Sequence, residues 1–550
     1  MKRIILLFLV CTSVSFTQTV LTDEQQNAFN SISADEILRN VSFLASDSLK
    51  GRAAGSDENM IASMFIARQF YSYGLTPVFP DPRTSKLSKN LLTEKLDVTN
   101  SFVYDEYFQK FNIKKSSLSE KNYFSIYESK DGIEKTIIYK FGVDFLVHYF
   151  GAKNIKITAP VVFVGFGITD GPDGYDDFKN VDVKNKIVVI ADSYPGEDDP
   201  ASVFNKKRNS AYLNTRTKGE AAHKKGAAAV LVISSPLKTD PPMTIKYQKL
   251  MRSFERVLYQ LPEAERESMP VLYISKAAAI DLFEGSGIDL KEKISLINEK
   301  YVPQSLPLPD KKVTIEINFD EELIQTQNVA GYLEGTDPEM KDELIVIGAH
   351  FDHVGFGEYG ARNREDKGQI YNGADDNASG TSGIIELAEA FSKAKPKRSI
   401  LFIAFNGEEN GLLGSRYYTN IESIKPLEKT VAMINLDMIG RNDPKQIWVG
   451  GPFYGKDVKA IVEEANKSIG FELFYNVGLL NFASDQGPFL RKEIPAIFFF
   501  AGLHDDYHRP TDDVDKLDTK KIENVTKLAY LSALSVVDQK IYPKYEPLKM

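Results

Sequence analysis

The octapeptide Gly373–Gly380, GADDNASG, sets two adjacent carboxylates among residues with very small side chains, just ahead of the apolar run TSGIIELAEAF. Asp375 and Asp376 could simply cap a helix there, or they could hold a cation. The same choice recurs along the chain: His350-Phe351-Asp352-His353 follows the apolar run ELIVIGA, Glu408-Glu409 follows RSILFIAFN, Asp437 follows VAMIN, and His504-Asp505-Asp506-Tyr507-His508 follows IPAIFFFAG. Each piece alone has an ordinary reading, because acids cap helices and suit helix dipoles. One metal centre accounts for all of them together, and four of the six histidines fall between 350 and 508. Histidine and carboxylate donors without thiolate point to zinc, with cobalt or manganese as substitutes. Two imidazoles and at least three carboxylates exceed what one catalytic zinc uses. They suit two ions roughly 3.5–4 Å apart that share a carboxylate. One acid of the GADD turn would reach both, with its small neighbours letting the backbone turn tightly beneath them.

The elements that would position these residues alternate between strand and helix. NVAGYLEG, ELIVIGAH, RSILFIAF, KTVAMINLDMIG, IWVGG and IPAIFFFAG read as strands, separated by helices such as TSGIIELAEAFSKA and DVKAIVEEANKSIG, and a last helix runs through DTKKIENVTKLAYLSALSVVDQ. Near-continuous apolar strands between helices predict an α/β fold, a largely parallel sheet covered on both faces. Ligands in such folds bind beyond the carboxyl ends of the strands, where the candidate residues lie. Upstream, a capping-box pattern from Ser33 to Glu36 opens a helix, and a second helix ends at Gly74. From about 125 to 310 the texture becomes β-rich, and residues 301–311, with three prolines, read as a seam.

Bulk properties are those of a globular chain of two or three units: 550 residues, 43% hydrophobic, 26% charged and a net charge of −9. No basic run suggests nucleic acid. The start, MKRIILLFLVCTSVSFTQT, has the layout of a signal peptide over residues 1–17. Its apolar stretch Ile4–Val10 is too short to span a membrane, and no other segment reaches that length. Val10 ahead of Cys11 departs from the small residue that precedes lipidated cysteines, which argues against a lipid anchor. Cys11 is the only cysteine, so the mature chain has no disulfide, thiolate site or cysteine nucleophile.

In order, GAHFDHVG, NGADDNASG, FNGEENGLLGS, INLDMIG, SDQGPF and DYHRPTDD resemble the motifs of the co-catalytic di-zinc aminopeptidases, a family that includes glutamate carboxypeptidase II and the transferrin receptor. FLASDSLKGRAAGS is similar to that family's opening segment, and APVVFVGFGI, KNKIVVI and AAHKKGAAAVLVIS resemble a protease-associated (PA) domain. The resemblance implies a three-layer α/β/α peptidase domain built from residues 18–124 and 311–550, with a β-rich PA insert at 125–310. It implies that His350 and Asp437 hold a first zinc, Glu409 and His508 a second, and that Asp376 bridges them, since relatives vary the first acid of the pair and keep the second. A cis peptide after Asp376 is implied as well. Asp352 matches the acid that orients His350, Glu408 the general base, and Tyr507 a donor to the oxyanion; His353 and His504 read as bystanders. One glutamate must stay free of metal to take a proton from water, which agrees with the role of Glu408.

The function expected is a secreted or periplasmic zinc exopeptidase, with two Zn2+ per chain, acting on peptides with a free amino terminus, whose ammonium Glu408 and Asp437 could receive. Three rivals remain: a glutamate-carboxypeptidase-like enzyme, which would need arginines such as Arg441 or Arg491 in the pocket, a transferrin-receptor-like binding protein without catalysis, and a glutaminyl-cyclase-like transferase, which shares the fold but tends to use one zinc.

Overall fold

The computed structural model describes residues 21–79, 104–148, 153–206, 210–236, 257–264, 269–475, 482–539 and 542–547. The signal-peptide segment and Cys11 lie outside them. The chain divides into two compact units, one of residues 1–113 and 324–550, the other of 114–323. The second unit is wider than the 125–310 span read from sequence texture, because the passages between units fall inside two long strands, β1 (Phe108–Leu118) and β2 (Phe319–Leu333).

The first unit is built on a mixed sheet. Its further strands are β3 (Leu344–His350), β4 (Ser399–Phe405), β5 (Thr430–Leu436), β6 (Gln446–Gly450), β7 (Glu472–Phe474) and β8 (Ala496–Phe500), in the spatial order β7-β6-β8-β5-β3-β4-β2-β1. The central four are parallel, with β3 between β4 and β5 and β8 beyond β5. Strand β2 joins β4 antiparallel and β6 joins β8 antiparallel. Every residue of β3 and β4 is buried. Their alternate side chains feed two cores: Ile345, Ile347, Ile400 and Phe402 enter one, Val346, Leu401, Ile403 and Phe405 the other. Such double-sided burial is why these strands read as unbroken apolar runs.

Helices cover both faces. On the larger core lie α1 (Asp23–Ser31), α2 (Ala34–Leu44), α3 (Asp57–Ser72), α4 (Gly380–Ala394), α6 (Lys456–Asn466) and α8 (Thr519–Val537); on the other lie α5 (Leu413–Asn420) and α7 (Gln486–Leu490). The sequence reading began with α2 and passed over α1, although Thr22 and Gln25 form a complete capping box there. The box expected at Ser33 does not form: Ser33 makes no side-chain cap. Instead its N–H donates to Glu386 of α4 at 3.2 Å and that of Ala34 to Glu523 of α8 at 3.2 Å. Side-chain oxygens from two other helices thus satisfy the first N–H groups, and the Glu523 carboxylate suits the positive end of the helix dipole.

The second unit holds an eight-stranded sheet whose strands 155–163, 187–191, 229–233 and 271–274 run parallel. The proline-rich seam is a correction: Leu306–Ile317 is a strand of this sheet, paired on both sides. Its register shifts between Leu308 and Lys312, and such a bulge is where a sheet tolerates proline. No described helix is long and apolar enough to cross a membrane.

Candidate metal centre

Strands β3, β4, β5 and β8 end side by side, and the residues just beyond them converge. Order along the sheet reverses at β3, where the crevice for a ligand opens. His350 closes β3 and is 1% exposed; its Nε2 lies 3.4 Å from both Asp376 Oδ1 and Asp437 Oδ1. Its Nδ1–H donates to the backbone carbonyl of Asp352 at 3.2 Å, which turns Nε2 toward the acids. Across Asp376, His508 Nε2 lies 3.2 Å from Oδ2 and 3.0 Å from Glu409 Oε2, while its Nδ1–H donates to the Gly360 carbonyl at 2.7 Å. Two groups result, each with ligand atoms within 4.8 Å of one another: His350, Asp376 and Asp437; and His353, Asp376, Glu409 and His508. Asp376 belongs to both and turns a different oxygen to each.

The turn that delivers Asp376 is tightly specified. Gly373 has a φ of +57°, and a Cβ there would lie 2.2 Å from the Asp376 carbonyl oxygen, so only glycine fits. The Asp376–Asn377 peptide is cis. Asp375, the other acid of the pair, is spent elsewhere: it accepts the Gly440 N–H at 2.6 Å and faces His504 at 3.3 Å. Asp512 accepts the N–H groups of Asp375 and Asp376 on its carboxylate and that of Ala374 on its carbonyl. Arg52, fully buried, donates to the carbonyls of Phe351, Leu44, Asn372, Gly373 and Asp376. Burial lowers its pKa to about 10 against the pull of Asp376 and Asp352, so it stays charged at neutral pH. Neither Arg52 nor Asp512 was singled out from sequence, although both sit within motifs quoted above, KGRAAGS and DYHRPTDD.

Glu408 belongs to neither group. Its Oε2 is 3.9 Å from His350 Nε2, and its N–H donates to Asp352 Oδ1 at 3.1 Å. Burial, against the pull of His350, together with Glu409, Asp437 and Asp485 raises its carboxyl well above the usual range. Glu409 is buried too, but His508 pulls its pKa down to about 2. Tyr507 stacks on the His508 ring with centroids 3.9 Å apart; burial and the acids of both groups keep its hydroxyl neutral. His353 is not a bystander: its Nδ1 is 2.7 Å from Glu409 Oε1.

The donor set fits divalent cations on its own terms. Asp437 Oδ1 and His508 Nε2 are buried without a hydrogen-bond partner, a costly state unless something binds them. With Nδ1–H spent on Gly360, the neutral His508 ring has its lone pair at Nε2, as a metal ligand must. Beside the groups opens a cleft of about 660 Å³, lined by Asp376, Glu408, Glu409, Asp437 and Tyr507 at one end and by Met438, Trp448, Phe498, Phe500 and Leu503 beyond. No lysine or arginine is among its described lining residues. Arg441 is paired with Asp506 at 2.7 Å, and Arg491 lies over the Phe482 ring.

Comparison with known proteins agrees with this geometry. Residues 328–533 match the family model of peptidase family M28, and residues 157–282 that of the PA domain. Aminopeptidase YwaD of Bacillus subtilis is 28% identical over 232 residues, 40% of this chain and 46% of its own. Leucine aminopeptidase 2 of Trichophyton rubrum is 29% identical over 186 residues, 32% of this chain and 34% of its own. The chain thus matches less than half the length of these curated relatives. The solved aminopeptidase from Aneurinibacillus sp. strain AM-1 superposes with a TM-score of 0.50 at 20% identity, over 96% of this chain and 98% of that one, a likeness of fold. By these matches residues 328–533, in the first unit, are similar to peptidase family M28, and residues 157–282, in the second, to the PA domain.

Proposed function

We propose that this protein is an exported zinc aminopeptidase that removes residues from the free amino terminus of peptides, using two zinc ions per chain. The observation that carries the reading is the charge of the cleft: five carboxylates line it, Glu408 and Asp443 among them outside both ligand groups, and no described basic side chain does. Such a pocket receives a substrate ammonium and repels a terminal carboxylate. His350, Asp376 and Asp437 would hold one ion and Asp376, Glu409 and His508 the other. Bound there, the ions would polarise the scissile carbonyl and make water acidic enough to ionise near neutral pH.

This chain's own residues do the rest. Glu408, left out of both ligand groups, takes the proton from the attacking water and returns it to the leaving amine; its raised proton affinity suits a group that must hold a proton between the two steps. The Tyr507 hydroxyl, kept neutral, donates toward the carbonyl oxygen as negative charge develops. Met438, Trp448, Phe498 and Phe500 favour an apolar side chain at the released residue. The basic, apolar start MKRIILLFLV supports export to the periplasm or beyond.

A carboxypeptidase is disfavoured because Arg441 and Arg491 are engaged away from the cleft. A non-catalytic binding protein would have no use for the complete donor set with Glu408 beside it. Digestion of paired peptides with free and blocked amino termini, before and after chelation, tests the reading. Cleavage of free peptides only, lost on chelation and regained with zinc, is expected; cleavage of blocked peptides alone would refute it.

A further inference from the structure

His353 has no task in the reaction just described, yet it is 2% exposed and lies beside Glu409 and the shared Asp376. Its Nδ1 lies 2.7 Å from Glu409 Oε1 and 4.0 Å from Asp376 Oδ2. The two distances separate two possible roles. Ligands sharing a tetrahedral zinc, each about 2.0–2.1 Å from it, stand about 3.3 Å apart. A spacing of 2.7 Å is too close for that and is the length of a charge-assisted hydrogen bond. Glu409 uses its other oxygen, Oε2, toward His508 at 3.0 Å.

The ring is held in place around this bond. Its backbone N–H meets the Arg52 carbonyl, and its face lies at 77° to the His508 ring with centroids 5.6 Å apart. A Cβ on Gly373 would come within 2.5 Å of its Cδ2, so the acid turn packs directly on the imidazole. Nε2 is buried without a partner. A neutral imidazole has one N–H to give, and given to Glu409 it leaves Nε2 as an acceptor only.

Resting on the two-cation reading above, we propose that His353 is a positioning residue for the second cation: its Nδ1–H holds Glu409 Oε1, so that Oε2 is presented beside His508. Histidine is needed there because it is rigid, reaches Glu409 from the β3 end, and donates without adding a full charge. The interaction is of the outer-shell kind that orients a ligand and commonly changes metal affinity 10–100-fold.

Zinc titration of the metal-free full chain against a chromogenic chelator tests this with wild type, His353→Ala and His353→Asn. Wild type is expected to take up two equivalents. In His353→Ala one equivalent weakens about 10–100-fold and the other is unchanged, which also shows that the variant is folded. In His353→Asn, whose amide N–H can replace the donor, most of the affinity returns. The cobalt spectrum of fully loaded His353→Ala matches wild type, because no ligand is lost. Equal affinities in wild type and His353→Ala, no recovery in His353→Asn, or a cobalt spectrum altered in His353→Ala would each overturn the proposal. Wild type that binds no zinc would instead refute the parent reading, and this one with it.

Discussion

Asp352 ties the first histidine to the proton carrier. Its backbone carbonyl accepts His350 Nδ1–H at 3.2 Å, and its carboxylate accepts the Glu408 N–H at 3.1 Å, with His350 Nδ1 a further 3.7 Å from the same oxygen. The two functions are separable, because substitution removes the carboxylate and leaves the carbonyl. Asp352→Ala should therefore lower kcat about 10–100-fold through a misplaced Glu408, while zinc content changes little. Asp352→Asn, which keeps an acceptor, should fall between. Steady-state kinetics with metal analysis would show it; loss of zinc matching the loss of kcat would mean that the carboxylate serves His350 instead.

Glu408 is the residue whose loss should separate binding from chemistry. It lies outside both ligand groups yet lines the cleft. Glu408→Gln keeps its shape and removes its basicity, so turnover should drop about 10²–10⁴-fold with zinc content unchanged. Near-normal hydrolysis by that variant would remove Glu408 from the mechanism.

Arg52 should matter to stability more than its distance from the chemistry suggests. It is the buried cation that satisfies five backbone carbonyls around the acid turn. Arg52→Met removes the donor to those carbonyls, of which Gly373 keeps the Ala378 N–H, and takes away a buried cation near Asp376, Asp352 and Asp512, so urea unfolding should show a loss of about 3–5 kcal/mol. Arg52→Lys should recover little of it, because a single ammonium cannot reproduce the guanidinium fork. Unchanged stability in Arg52→Met would show that the turn holds itself.

Much of this was legible in the sequence for one physical reason: a sheet buried on both faces writes its strands as apolar runs, and each run ends where the chemistry begins. His350, Glu408, Glu409, Asp437 and His508 could be read from that punctuation, and the structure brings them together around Asp376. What escaped depends on tertiary contact. Nothing local in SADE reveals that Glu386 takes the Ser33 N–H that Glu36 would have taken, or that Glu523 takes the next one, of Ala34. The prolines at 307 and 309 suggest a break, yet Pro307 stays in register opposite Val162 and the bulge between Leu308 and Lys312 takes Pro309. His353 reads as a loop histidine because Glu409, its partner, is 56 residues away.

The same capping arrangement gives a pH dependence that can be tested away from the metal centre. Glu386 is 1% exposed, its Oε2 accepts the Ser33 N–H, and its Oε1 has no partner. Burial, then the neighbouring Glu36 and Glu389, push its carboxyl up to about 8, against the Ser33 N–H and Arg39. In the unfolded chain the same group titrates near 4.5. Between those values the folded state keeps a proton that the unfolded state has released, so stability from this group is complete below about pH 4.5 and is lost as pH rises to about 8. Its share of the slope approaches about 1.4 kcal/mol per pH unit within that window. Glu386→Gln retains an acceptor for Ser33 and cannot ionise, so its stability should fall less between pH 5 and pH 8. Urea midpoints of chelator-treated wild type and variant across that range measure the difference directly, with metal loss at low pH removed from both. Parallel profiles would show that Glu386 is already ionised in the folded protein, with Arg39 and the α2 N–H groups sufficient to hold its charge.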